Sequence, residues 1–447
     1  MSRSDTIAAI ATAPGRGAVG ILRVSGVDAL KIATALCGDL PKARSAGLRR
    51  FREADGSIVD EGLVLVFPGP NSFTGEDVVE LQGHGGPVVL DLMLKAACTA
   101  GARPARPGEF SERAFLNGRL DLAQVESIAD LIDAGSQAAV RAASRSLQGE
   151  FSRQILALVE TLIALRADLE AAFDFADEDV PWLNGPQLQA RLNDISAQLK
   201  ALLKQATQGR RLREGLTIAI AGQPNVGKST LLNRLAGADA AIVSPEAGTT
   251  RDVLREHLVL RGLPLTVLDT AGLRDTDNSI EREGVRRAWA ALSQAELVLF
   301  VADDRHGLTP ADQTLLAQFP VALPVLLLFN KCDLSARPAG RFEIDGHPAV
   351  RISAAADLGI DSLIELICEH AGLVEPEAQA FTARTRHLEA LRAADAHLDT
   401  ANRLALSAPE LIAEELRLTQ VALDEITGRF SSDDLLGRIF STFCLGK

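Results

Sequence analysis

Long apolar runs are missing from this sequence. No stretch approaches the ~18 consecutive apolar residues that a helical span needs, so nothing in it is expected to cross a bilayer. A basic excess is missing too: 46 Lys and Arg stand against 59 Asp and Glu, a net charge of -13, which excludes holding nucleic acid by bulk electrostatics and leaves only local RNA contacts. The five cysteines, Cys37, Cys98, Cys332, Cys368 and Cys444, are an odd number without CxxC or His-paired spacing. Neither a disulfide framework nor a zinc site is indicated, and reduced thiols of a cytoplasmic protein are the expectation. No dinucleotide-binding fingerprint is present.

What is there is ordinary in proportion, 47% apolar and 23% charged over 447 residues. At ~100 to 200 residues per domain that length implies two to four domains. Arg3 followed by the apolar stretch Thr6 to Ala13 imitates a secretory leader, but Asp5 neutralises its charged start and the stretch is short.

Residues 1–117 mix strand-like runs (Ala18 to Val24, Gly62 to Phe67, Val78 to Leu81) with Gly/Pro turns, the texture of an α+β domain. The texture then becomes helical. Phe151, Ile155, Leu158, Leu162, Leu165 and Leu169 alternate spacings of four and three, one stripe of a long helix. A second stripe runs through Leu188, Leu192, Ile195, Leu199 and Leu202 and is closed by Gly209. Between 215 and 374 short apolar runs (Leu216 to Ala221, Leu265 to Leu268, Leu297 to Ala302, Val325 to Phe329, Ala349 to Ile352) alternate with helical stretches, which predicts a mostly parallel, doubly wound sheet. Helical texture returns through Leu388, Leu391, Leu398 and Leu411 to Ile426. The expected layout is an α+β domain (1–117), a helical domain in two parts (118–214 and 375–447) and an α/β P-loop domain (215–374) inserted between them.

The insert carries the clearest chemistry. Gly222-Gln223-Pro224-Asn225-Val226-Gly227-Lys228-Ser229 fits GxxxxGK[ST] directly after an apolar strand and before a helical stretch that begins with Thr230, the context of a P-loop. Its backbone N–H groups suit phosphates, Lys228 suits the β/γ oxygens and the Ser229 hydroxyl suits Mg²⁺. Asp269-Thr270-Ala271-Gly272 ends the next expected strand, with a carboxylate for the magnesium shell and a Gly272 N–H for the γ-phosphate. Thr250, in Gly248-Thr249-Thr250-Arg251, lies between the two and is the candidate switch threonine on Mg²⁺. Asn330-Lys331-Cys332-Asp333 selects the base: the Asp333 carboxylate can accept from the ring N–H and amino group of guanine, whereas adenine would leave it unpaired at a cost of ~1 to 3 kcal/mol. Ser353-Ala354 completes the guanine pocket. A GTP-dependent enzyme also belongs where GTP is, in the cytoplasm rather than beyond a leader.

After DTAG stands Leu273, not the glutamine of Ras-like GTPases, so the attacking water must be held otherwise. Glu281, Glu283 and Asp275 are the nearby candidates; from their spacing alone they are nearly indistinguishable, and a solvated charged helix is the favoured reading of the stretch.

Asn225 within the P-loop, DTAGLR with Glu281 following, and the tail Phe443-Cys444-Leu445-Gly446-Lys447 resemble the MnmE (TrmE) family of tRNA-modification GTPases. So do Thr6 to Ala13, Pro70 to Asp77 and Gly108 to Gly118. The resemblance covers essentially the whole chain and implies an N-terminal tetrahydrofolate-binding-type domain, a helical domain and an inserted G domain. It implies a K⁺ held by the Asn225 side chain and the Ser244-Pro245-Glu246-Ala247-Gly248-Thr249 loop, through Ser244, Glu246 and Thr249, and a water oriented by Glu281. It further implies a folate derivative, 5,10-methylene- or 5-formyl-tetrahydrofolate, on Arg23, Glu80, Arg119 and Lys447, with Arg119 where the family has lysine. Partners implied are a second copy, the flavoprotein MnmG in a heterotetramer, and tRNA modified at wobble uridine 34.

Cys444 stands four from the end, but Leu-Gly-Lys is a poor prenylation signal, and the thiol is a candidate for the modification chemistry only through the resemblance. Two other readings remain: a ribosome-assembly GTPase, which should carry an RNA-binding module instead of the FCLGK tail, and a folate-binding scaffold in which GTP only switches assembly.

Overall fold

A computed structural model describes residues 5–174, 186–238, 255–269, 292–344, 346–372, 380–405, 408, 411–429, 436, 439, 440, 443 and 446. The chain divides into two compact units, one of residues 1–129, 155–160 and 420–447, the other of residues 130–154 and 161–419.

The first unit opens with β1 (Ile7–Ile10), in which Ile7, Ala8 and Ala9 are buried. It continues through β2 (Gly17–Ser25), α1 (Ala29–Cys37), β3 (Gly47–Arg52), β4 (Ile58–Phe67), β5 (Val78–Gly85), α2 (Pro87–Thr99), β6 (Arg103–Pro104), α3 (Glu109–Leu116) and α4 (Leu122–Ile132). The strands form one sheet in the order β3-β4-β5-β2-β1-β6, antiparallel except where β6 joins β1. Period-two alternation divides its faces. Ala8, Leu22, Val64 and Leu81 bury one face with Ile32 of α1 and Met93 of α2, whereas Ile7 and Ala9 turn to the other face with Phe110 of α3. Leu122 and Val125 of α4 pack with Ile439, Phe440 and Phe443 of the C-terminal segment.

An ionic network ties α3 to the start of β1. Arg113, 8% exposed, donates to the Asp5 carbonyl at 2.9 Å, to Glu76 Oε2 at 3.0 Å and to Asp5 Oδ1 at 2.8 Å. Glu109, 1% exposed, accepts from Arg103 Nη1 at 2.9 Å and from the Arg106 N–H at 2.8 Å. Burial alone would raise the Glu109 carboxyl, but the Arg103 guanidinium and the Arg106 N–H outweigh it and hold the pKa down at about 2.

In the second unit α5 (Gln137–Leu147) is capped by Ser136, whose Oγ accepts the Ala139 N–H at 3.1 Å. The two long helices are α6 (Glu150–Asp174) and α7 (Pro186–Glu214). The stripe of α7 does not close at Gly209: the helix runs on to Glu214, with Leu212 buried. A Cβ at Gly209 would lie 1.9 Å from the Phe381 carbonyl, so this glycine lets another chain segment approach and is not a stop.

The insert follows with β7 (Leu216–Ala221), α8 (Lys228–Ala238), β8 (Arg255–Leu260), β9 (Leu263–Asp269), β10 (Leu297–Asp303), α9 (Pro310–Leu316), β11 (Val325–Asn330), the short α10 (Cys332–Ser335), β12 (Gly340–Ile344), β13 (His347–Arg351) and α11 (Ile360–His370). Its sheet has the order β12-β13-β11-β10-β7-β9-β8, with the five central strands parallel and β12 and β8 antiparallel edges. Ile218 and Ile220 of β7 face Leu231 and Leu235 of α8 and Leu363 and Ile367 of α11, whereas Ala219 and Ala221 face the opposite layer with Phe300 and Phe319. The chain returns through α12 (Thr385–Leu404), whose Leu388, Leu391 and Leu398 are buried, and α13 (Ile412–Thr427).

The sign of the Glu109 shift fixes an acid dependence. A depressed carboxylate contributes stability that is fully present above its unfolded value near 4.5 and lost as pH falls through about 2. Denaturant unfolding of the native chain should lose on the order of 3 kcal/mol from this group between those values, and Glu109→Gln should be destabilised near neutral pH with a shallower acid slope. An unchanged slope in the variant would show that Glu109 is not the titrating group.

Candidate functional site

The phosphate-binding loop leaves β7 at Ala221 and enters α8 at Lys228, so the first turn of that helix points its N–H groups into the loop. Asn225 takes a left-handed backbone with φ 63°. Lys228 Nζ donates to the carbonyls of Gly222 at 2.8 Å and Gln223 at 2.9 Å, which holds the ammonium over the loop. Val226 is buried, while Ser229 and Thr230 are exposed at the start of the helix, where a hydroxyl can reach a metal ion.

Asn330, at the end of β11 and 3% exposed, is the keystone of the base side. Its Nδ2 donates to the Val226 carbonyl at 2.8 Å, and its Oδ1 accepts from the N–H groups of Lys331 at 2.9 Å and Ala354 at 3.0 Å. One side chain therefore joins the phosphate loop, the NKCD turn and the loop after β13. A Cβ at Gly227 would meet Asn330 Nδ2 at 2.4 Å, so the motif glycine is required by this approach as well as by its φ of 98°. Asp333 stands exposed in the first turn of α10. Ser353 and Ala354 are each 1% exposed.

Two carboxylates that sequence reasoning missed brace this frame. Asp303, opposite Asn330 in the pairing of β10 with β11, accepts from Lys331 Nζ at 2.9 Å, and the same ammonium donates to the Asn225 carbonyl at 2.6 Å. The bonded Arg305 guanidinium, with Lys331 beside it, holds the Asp303 carboxyl well below the usual carboxylate range. Asp304, fully buried, accepts from Ser335 Oγ and faces Arg351 Nε at 3.3 Å and Arg337 Nη1 at 3.6 Å. A carboxylate pair ending a central strand was the available signal.

Arg23, Glu80 and Arg119 come together in the first unit, around a cavity of about 440 Å³ that Arg44, Phe67, Asn71 and Phe73 also line. Glu80 Oε1 accepts from Arg23 Nε at 3.0 Å and Nη2 at 2.9 Å, and the guanidinium lies 5.6 Å from the Phe73 ring centre. Arg23 Nη1 also donates to the Gly446 carbonyl at 3.3 Å, which brings that residue to this site. Carboxylate, guanidinia and rings around this volume suit a flat heterocycle with an anionic tail.

The remaining candidates are not all within view. Ser244, Pro245, Glu246, Ala247, Gly248, Thr249, Thr250, Thr270, Ala271, Gly272, Leu273, Glu281, Cys444 and Lys447 lie outside the described residues, as does the side chain of Asp269 at the end of β9. Among the described residues no group of three or more His, Cys, Asp and Glu could hold a metal, and no helix is long and apolar enough to cross a membrane. Cys37, Cys98, Cys332 and Cys368 are free thiols, and burial pushes the Cys37 thiol up to about 11.

A family model described as MnmE helical domain matches residues 122–444, and one described as GTP-binding protein TrmE N-terminus matches residues 6–119. The chain belongs to the MnmE/TrmE family of tRNA-modification GTPases. As a member of the MnmE family it is built of the TrmE-type N-terminal domain, a helical domain and a P-loop GTPase domain. Among solved structures, Era of Aquifex aeolicus bound to GDP·AlF4⁻ is similar at 28% identity, over 41% of this chain and 66% of that one, with a TM-score of 0.29. The FeoB G-domain of Methanococcus jannaschii is similar at 28% identity, over 35% of this chain and 97% of that one, with a TM-score of 0.25. The chain thus spans just under two thirds of the Era chain, and the family assignment rests on the family models.

Truncating Asn330 to alanine leaves the Val226 carbonyl and the Ala354 N–H without their shared partner. Titration with a fluorescent GDP analogue should show affinity falling by about a hundredfold, the scale of two buried bonds lost together. Affinity within threefold of the parent would remove Asn330 from the role given it here.

Proposed function

We propose that this chain is a K⁺-dependent GTPase which, with the flavoprotein MnmG, installs an aminomethyl or carboxymethylaminomethyl group on uridine 34 of tRNA. The observation that supports the GTP half is the Asn330 frame, which joins the NKCD turn, the residue 225–230 loop and the loop after β13. GTP would lie with its phosphates on the residue 225–230 loop and its base between Asp333 and Ser353-Ala354. Mg²⁺ would be held by Ser229 and Thr250, with Asp269 through water and the Gly272 N–H near the γ-phosphate.

In place of the missing glutamine, Glu281 would orient the attacking water. Asn225 with Ser244, Glu246 and Thr249 would hold K⁺, which when bound supplies a fixed positive charge beside the phosphates. The exposed, left-handed Asn225 leading into the helix terminus is compatible with that part.

Arg23 and Glu80 of the N-terminal domain, with Arg119 and Lys447 from beyond it, would bind the tetrahydrofolate derivative that supplies the one carbon, with Cys444 a further candidate near it. The cavity joining the first three residues supports this reading. The flavin would belong to MnmG. The protein would act in the cytoplasm as a homodimer within a heterotetramer, with domain limits at 1–117, 118–214, 215–374 and 375–447.

GTP turnover should fall at least about tenfold when K⁺ is replaced by Na⁺ at equal ionic strength, and Glu281→Ala should lower kcat by about a hundredfold or more. Equal rates in both salts would remove the cation. Asp333→Asn should shift preference from guanine to xanthine nucleotides, because an amide presents a donor where the carboxylate only accepts.

A further inference from the structure

Beside the phosphate loop lies a side chain that no part of the GTPase reading uses. Arg234 sits six residues into α8 from Lys228, about 9 Å along the helix axis. Its Nε donates to the Ala354 carbonyl at 3.2 Å and its Nη2 to the Ala355 carbonyl at 3.4 Å, while Nη1 lies 3.4 Å from Asp357 Oδ2. We infer that Arg234 is a positioning residue for base recognition, clamping the 353–358 loop to the phosphate-binding helix so that the loop presents N–H groups to guanine.

The loop is built to be held this way. Ser353 and Leu358 exchange both backbone bonds, at 2.9 and 3.1 Å, and Ser353 Oγ accepts the Ala356 N–H at 3.1 Å. Asp357 turns the chain through a left-handed φ of 59°. Ala354 is gripped from both sides, its N–H by Asn330 Oδ1 and its carbonyl by Arg234.

Peptide planarity gives this grip its consequence. In a trans peptide the carbonyl and the following N–H point in opposite directions, so holding the Ala354 carbonyl toward α8 turns the Ala355 N–H away from it. Guanine carries an acceptor oxygen at position 6 and adenine a donor amino group. A peptide fixed with its N–H outward selects the former, whereas a rotated peptide would offer a carbonyl and weaken that choice. A charged donor fork on two adjacent carbonyls resists such rotation better than a single neutral bond.

The inference rests on the guanine-nucleotide reading of the site, which binding of a fluorescent GDP analogue to the unaltered chain tests separately. In the full-length protein Arg234→Ala should raise the Kd of that analogue about tenfold, mainly through faster dissociation, while the competition constant of inorganic pyrophosphate, a probe with no base, changes less than twofold. Arg234→Lys, which still donates to carbonyls, should recover most of the loss, and Asp357→Ala should fall between. GDP affinity within twofold of the parent in Arg234→Ala would overturn the inference. So would equal losses for GDP and pyrophosphate, since that pattern marks a damaged α8 and not a displaced base loop.

Discussion

The nucleotide side of this protein depends on one buried amide. Asn330 has a donor and an acceptor that can serve different partners at once, and here they serve the Val226 carbonyl on one side and the Lys331 and Ala354 N–H groups on the other. Each bond alone is worth about 1 kcal/mol net, but an unpaired buried group costs more than a bond contributes, so the three loops hold together or fail together. An aspartate there would lack the donor for Val226, and a leucine would strand every partner. The sheet makes the arrangement possible: parallel strands β7, β10 and β11 end on the same edge, and that edge is where loops from distant parts of the chain can share a residue.

The same economy governs the base of the insert. Its entry, the end of α7, and its exit, residues 380–384, are joined by backbone and ionic contacts within the second unit. Asp130 Oδ1 accepts from Arg213 Nε and from Arg384 Nη2, both at 2.7 Å, one arginine from each connection. Ser146 Oγ accepts the Thr382 N–H at 2.9 Å, and the Phe381 ring stacks on Phe151 with centres 4.4 Å apart. Gly209 admits the Phe381 carbonyl where any side chain would exclude it. An insert anchored through neighbouring ends can fold on its own core while its two connections stay in register.

How much of this was legible in the sequence follows burial. The strands at Leu216, Leu297 and Val325 lie between two covered faces, so they read as continuous apolar runs and their starts fall where expected. Strands β8 and β12 were not foreseen, because an edge strand carries charge: Glu256 and His257 in one, Arg341 and Glu343 in the other. Gly209 reads as a helix stop because glycine costs a helix interior ~1 kcal/mol, and only the tertiary approach of Phe381 shows why it is there. The phosphate and base motifs were plain because their chemistry is local in sequence. Asp303 and Asp304 were not, because they meet the NKCD turn only through the pairing of β10 with β11.

A chain with a net charge of -13 that is proposed to hold a triphosphate has to solve an electrostatic problem locally, and its candidate site has the cations arranged for it. The loop's cations are not left to the surrounding field. Lys228 is held on two loop carbonyls, and Lys331 is shared between the Asn225 carbonyl and Asp303. Arg305 pairs with the same carboxylate, so Asp303 acts as a fixed counterion that aims Lys331 and does not cancel the loop. Binding energy for an anion is then available without reorganising the cations when it arrives, because their positions are set by bonds to the protein. Lys228 and Lys331 thus bring fixed positive charge to the helix terminus beside the NKCD turn, so that an anion bound there would lie next to the place where a base could be read.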